Sequence, residues 1–111
     1  MIEITVLDYL SERITAPVHT EVPEDPPDRF IVLKKADSSR EDFLYRSMFL
    51  LRSYGGTLLE AAQLNEQVKT AMFGITTLPE VSGCYLTGDY NFTETASKRY
   101  RYQAVFDVYH F

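Results

Sequence analysis

The side chains best suited by type to acid–base, nucleophilic or metal chemistry are His19, His110 and the single cysteine, Cys84. A transition-metal site needs several such ligands at short spacing on one element, and neither histidine has a second ligand so placed. Covalent catalysis needs a nucleophile beside a base. No Gly-x-Ser-x-Gly elbow is present, and Cys84 lies in an apolar, strand-like pattern that predicts a buried, unreactive thiol. A lone cysteine excludes an intrachain disulfide. His110 reads as a strand-end residue rather than a ligand.

Two further stretches have the outline of a binding loop. Gly55-Gly56-Thr57 opens a helix whose N-terminus could attract an anion, but it lacks the spaced glycines and the lysine of a phosphate loop. It reads as a strand-ending turn followed by a cap. The acidic tract of residues 21–28 gathers carboxylates around Glu24, yet Pro23, Pro26 and Pro27 hold it extended and no glycine permits the wrap of a calcium loop. It reads as a solvated or partner-contact loop. The sequence therefore predicts no catalytic residue, no metal and no cofactor, and the expected class is not an enzyme.

These stretches belong to 111 residues of which 45% are hydrophobic, the size and composition of one domain spanning residues 1–111. No window of about eighteen uninterrupted apolar residues exists, so no membrane partner is expected. Glu3 and Asp8 stand where a secretory signal needs basic and then apolar residues, which predicts a soluble chain made inside the cell. A net charge of −5 repels phosphate backbones, so sequence-specific nucleic-acid binding is not expected.

Periodicity sets the elements that hold these residues. In residues 2–14, Ile2, Ile4 and Val6 alternate as in a strand, while Ile2, Val6, Leu10 and Ile14 recur at helical spacing; the one-sided polarity of residues 8–13 and the stop at Pro17 favour a helix. Residues 18–22 read as a short extended piece and residues 30–33 as a strand. The polar tract Asp37, Ser38, Ser39, Arg40, Glu41, Asp42 reads as a turn. Residues 43–54 fit either a helix opened by a Ser38/Glu41 capping box or a strand buried on both faces, and the alternation of Phe43, Tyr45, Phe49 and Leu51 favours the strand. A helix then starts at Thr57, with Glu60 placed to complete the cap, Ala61, Leu64, Val68, Ala71 and Met72 as its apolar stripe, and Gly74 as its stop. Residues 81–92 and 99–111 read as two strands of a hairpin joined by residues 93–98. On the second strand Tyr100, Tyr102, Ala104, Phe106 and Val108 face the core. The predicted fold is α+β: a mostly antiparallel sheet with two helices packed on one face, in the order α-β-β-β-α-β-β.

Eight Tyr and seven Phe in a chain without Trp exceed what one small core consumes, and Tyr suits surfaces that are wet on one side. Tyr90, Phe92, Tyr109 and Phe111 fall at the ends or on the polar parity of the terminal hairpin. Either a helix or loop covers them, or they form an interface.

Residues 29–72, with Arg52-Ser53-Tyr54 and Glu60-Ala61-Ala62, and the block of residues 89–103, together with the Tyr100-Arg101-Tyr102-Gln103-Ala104 run of the last strand, resemble the tail-terminator proteins of long-tailed phages. The resemblance covers most of the chain and consists of fold patterns rather than catalytic signatures. It implies a virion protein of the head–tail junction, present in the host cytoplasm during assembly. It further implies a homo-hexameric ring that caps the tail tube, ends its polymerisation and receives the head connector. The partners implied are further copies of the chain, the tail tube protein and the connector or neck protein. The exposed positions assigned to such contacts are Asp37, Ser38, Ser39, Arg40, Glu41 and Asp42 against tube or connector. Pro26 and Pro27, with Tyr90, Phe92, Tyr109 and Phe111, are assigned to contacts between subunits. Two other readings fit the sequence: a head-completion or adaptor protein of the phage neck, and a monomeric regulatory domain with a ligand pocket between helices and sheet.

Overall fold

In a computed structural model, which describes residues 1–97 and 99–111, the chain forms the predicted α+β fold. Lys98, placed by sequence in the turn of the terminal hairpin, lies outside the described residues. The elements are α1 (Ile2–Arg13), β1 (Val18–His19), β2 (Phe30–Glu41), β3 (Leu44–Tyr54), α2 (Leu58–Phe73), a 3-10 turn (Ile75–Thr77), β4 (Val81–Asn91) and β5 (Arg101–His110). The sheet order is β1-β2-β3-β5-β4; β1 pairs parallel with β2, and the other pairings are antiparallel. Both helices cover one face.

Strand parity explains that face. Ile31 and Leu33 of β2, Phe49 and Leu51 of β3, and Ala104, Phe106 and Val108 of β5 point toward the helices, where Val6, Tyr9 and Leu10 of α1 and Leu64, Val68 and Met72 of α2 close the core. The Tyr9 hydroxyl donates to the Ala71 carbonyl at 2.6 Å and joins the two helices. On the other face Phe30, Val32 and Tyr54 form a second, smaller buried group, with Phe30 and Tyr54 stacked at 4.3 Å.

The β3–α2 junction follows its sequence signals. The Glu60 amide donates to Thr57 Oγ1 at 3.2 Å, and the Glu60 carboxylate accepts from the Gly56 amide at 3.0 Å, one residue earlier than a standard capping box. Gly55 has no alternative here, since a Cβ on it would lie 2.4 Å from the Ala61 backbone nitrogen.

Three expectations are corrected. Residues Asp37, Ser38, Ser39, Arg40 and Glu41 are strand, not turn: β2 runs on to Glu41, paired residue by residue with β3 from Met48 to Leu44. Neither face of this stretch is covered, so it shows no alternation, and the cross-strand ladder to β3 is what holds it extended. The turn itself is Asp42-Phe43, where Asp42 has φ 57, the backbone hand that two-residue hairpins need at that position. Phe43, expected inside a strand, is the turn residue and is 82% exposed. Lastly, β3 is buried along the face toward the helices but on the far face only at its end, at Tyr54. Met48 and Leu50 on the far face are half-exposed, because no second layer covers them.

Candidate interaction surface

The uncovered sheet face carries a mixed polar and aromatic surface whose pairs are fixed by strand register. At the end nearest the β2–β3 turn, the Arg46 guanidinium bridges Asp107 Oδ1 at 3.1 Å and Asp37 Oδ2 at 3.2 Å, tying three strands together. Tyr85 and Tyr109 meet edge to face at 5.8 Å, with Tyr85 61% exposed. At the opposite end Arg52 donates to Gln103 Oε1 at 2.8 Å, and Gln103 in turn donates to the Tyr90 hydroxyl. The guanidinium groups of Arg52 and Arg101 lie over the Phe92 ring at 5.1 and 4.6 Å. Cations stacked on aromatic faces with an exposed Tyr alongside make a surface suited to protein contact.

The expected interface residues divide among three places. Tyr90 and Phe92 sit together, ring centroids 6.0 Å apart, at one end of the uncovered face. Tyr109 lies on the same face at the other end, and Phe111, just past β5, is 68% exposed beside the β2–β3 turn, lining a shallow trough with Asp42 and Phe43. Asp37, Ser38, Ser39, Arg40 and Glu41 form the exposed outer strand of the hairpin that ends there. Pro26 is half-buried and Pro27 exposed in a loop at the start of β2, so the structure separates them from that turn by the length of β2, about 35 Å at ordinary strand rise.

Sequence reasoning missed Tyr85, Leu86 and Phe73, all exposed along the β4 side. Irregular pairing at residues 81–83 and 86–88 interrupts the alternation, so Tyr85 and Tyr90, of opposite parity in sequence, share one face. The two glycines at those irregularities, Gly83 and Gly88, were the available signal.

The side chains whose types suit chemistry are buried or half-buried. Ser47 Oγ lies 2.8 Å from His110 Nε2, the contact of a nucleophile and its base, but Ser47 is 1% exposed and no substrate can approach it. Burial pushes the half-buried Cys84 thiol up to about 12, with the nearby Asp107 charge adding to it, so the thiolate is not populated at neutral pH. Among the described residues no three His, Cys, Asp or Glu side chains stand together as a metal site would require, and no helix is long and apolar enough to cross a membrane.

His110 gives a pH prediction. Burial lowers its imidazole below the ordinary value of 6.5; the Phe111 backbone opposes this, Lys35 reinforces it and Glu3 works against it. A depressed histidine stabilises the fold fully above pH 6.5, where it is neutral in both states, and that stability is lost as pH falls from there toward the folded-state value. Urea unfolding between pH 7.5 and pH 5 is expected to show stability falling with acid, and His110→Gln is expected to flatten that slope; equal slopes would discount the histidine.

Searched against models of known protein families and against curated proteins, the sequence matches none.

Proposed function

We propose that the chain is a structural virion subunit, a tail terminator that closes as a homo-hexameric ring on the tail tube, stops its growth and receives the head connector. The observation that carries this reading is a sheet with helices on one face only. Its other face and the hairpin end leave Tyr85, Tyr90, Phe43 and Phe111 exposed on a domain that has already filled its core. Large apolar side chains gathered outside a completed core are surface held for partners. The resemblance of residues 29–72 and 89–103 to tail terminators names the assembly, and no step of that task calls for a catalytic group. The β2–β3 hairpin, with Asp42 and Phe43 at its end, is the segment assigned to tube or connector, and an acidic chain lets DNA pass a lumen without adhering.

Light scattering over a range of concentrations, with negative-stain images of the protein alone and mixed with tail tubes, tests the proposal. Closed six-fold rings, free or on tube ends, are the expected result. A protein that stays monomeric alone and leaves tubes undecorated sinks it. Rings that bind the connector but never the tube would replace it with a neck adaptor.

A further inference from the structure

The sheet ends in two free edges that match each other. Among the described residues β1 pairs only with Ile31 and Val32, and no other strand pairs the outer side of β2 over residues 34–41. On the opposite side β4 pairs with β5 alone, and among the described residues no strand lies along its outer side over its 11 residues. A solitary free edge is usually shortened, covered or charged to prevent unselected pairing. Here both are long and, among the described residues, no other element covers them; the β2 edge carries charged side chains, and each strand contains register irregularities.

Strand polarity is the first reason to connect them. β2 and β5 run one way, and β3 and β4 the other. A second copy generated by rotation about an axis along the strands keeps those directions, so its β4 meets β2 of its neighbour antiparallel, and the up-down alternation passes the seam unbroken. Register is the second. Lys35, Phe49, Phe106 and Leu86 form one cross-sheet row, and Ser38, Ser47, Val108 and Cys84 another. Residues 81–88 of β4 therefore stand level with the part of β2 that β1 leaves bare.

Side-chain chemistry is the third. The free part of β2 carries Lys34, Lys35 and Arg40 alongside Asp37 and Glu41, with Lys35 bridged to Glu3 at 3.3 Å and Asp37 to Arg46 at 3.2 Å. β4 carries one charge, Asp89, and is bordered by exposed Tyr85 on one face and by Leu86 and Phe73 on the other. Pairing β2 against β4 sets this mixed-charge edge beside a stretch, residues 81–88, that carries no charge, so no like charges meet across the seam.

We infer that copies of this chain join head to tail by antiparallel pairing of residues 81–88 of β4 with residues 34–41 of β2 in the next copy, making one continuous sheet around the ring. The inference rests on the ring reading above and adds the seam from which the ring is built.

Disulfide trapping tests it in a Cys84→Ala background. Leu86→Cys is placed in one preparation, and Lys35→Cys, Ser38→Cys or Arg40→Cys, all on the same side of the sheet as Leu86, in others, so that a stagger along the strands is sampled. Mixed preparations, oxidised mildly, are expected to give covalent dimers between the two variants, and a chain carrying both cysteines a ladder ending at the ring. Neither preparation alone should cross-link. Self-cross-linking of Leu86→Cys would overturn the inference in favour of two-fold β4 pairing. Rings seen by light scattering without any mixed disulfide would overturn the seam and leave the ring standing. Absence of assembly by either method would overturn both.

Discussion

Phe49→Ala is expected to lower the unfolding free energy by about 3–5 kcal/mol. Phe49 sits on β3, the middle strand of the sheet, is 0% exposed, and stands in register with Phe106 of β5 beneath the two helices. Removing its ring takes a large apolar group out of a filled core whose other members, Leu51, Leu64 and Met72, cannot collapse into the space without shifting helix or sheet. A domain of this size has roughly 5–15 kcal/mol in total, so the variant approaches the threshold of folding. In urea the midpoint should move by about 2 M, given slopes of about 1–3 kcal/mol/M. Phe43→Ala is the matched control. The same residue type, six positions earlier and 82% exposed in the hairpin turn, should change stability by no more than about 0.5 kcal/mol. Comparable losses in both variants would mean that the core does not lie where the structure puts it.

The contrast between those two phenylalanines also marks what the sequence could and could not reveal. Phe43, Tyr45, Phe49 and Leu51 share a parity, and parity correctly grouped Phe49 with Leu51, which the structure places under the helices, although it read both faces of the strand as buried. It misplaced Phe43, because nothing local distinguishes a strand aromatic from one carried around a two-residue turn with Asp42 at φ 57. The same blindness made residues 37–41 read as a turn. A strand with water on both faces has no hydrophobic period, and its extension comes from pairing with β3, a contact between residues whose register the sequence does not state. Where a signal was local it held, as in the Thr57/Glu60 cap and the apolar stripe of α2. The exposed surface was legible as an excess of aromatics, but not as a place. Arg46 with Asp107, Arg52 with Gln103 and Tyr85 with Tyr109 are neighbours only because β3, β5 and β4 align in one register with two irregularities. The free edges are a property of sheet order alone.

The junction of α2 with β4 supplies the second large effect. Asp89 accepts from Asn65 Nδ2 at 2.8 Å and from Lys69 Nζ at 2.6 Å, and Lys69 also reaches Glu66 at 2.6 Å. Asn65 is 2% exposed, and its Oδ1 has no hydrogen-bond partner among the described residues. Among the described residues Asp89 is therefore the one group that satisfies any part of this buried amide. Asp89→Ala should cost about 1–3 kcal/mol, the penalty of leaving a buried donor unpaired. Lys69, still paired with Glu66, limits the loss, whereas Lys69→Met, which leaves the Asn65 contact intact, should cost less. The pH dependence separates the charged part. Burial works to raise the Asp89 carboxyl, but the hydrogen bonds from Lys69 and Asn65 and the Lys69 charge outweigh it and hold the group below its ordinary 3.8. A depressed carboxylate stabilises the fold fully above that ordinary value, and the contribution is lost as pH falls through the folded-state value. The native protein should thus lose stability below pH 3.8 more steeply than Asp89→Ala, and the two urea curves should converge in acid. A gap that stays constant from pH 7 to pH 2.5 would assign the whole effect to packing of the methylene and none to the carboxylate.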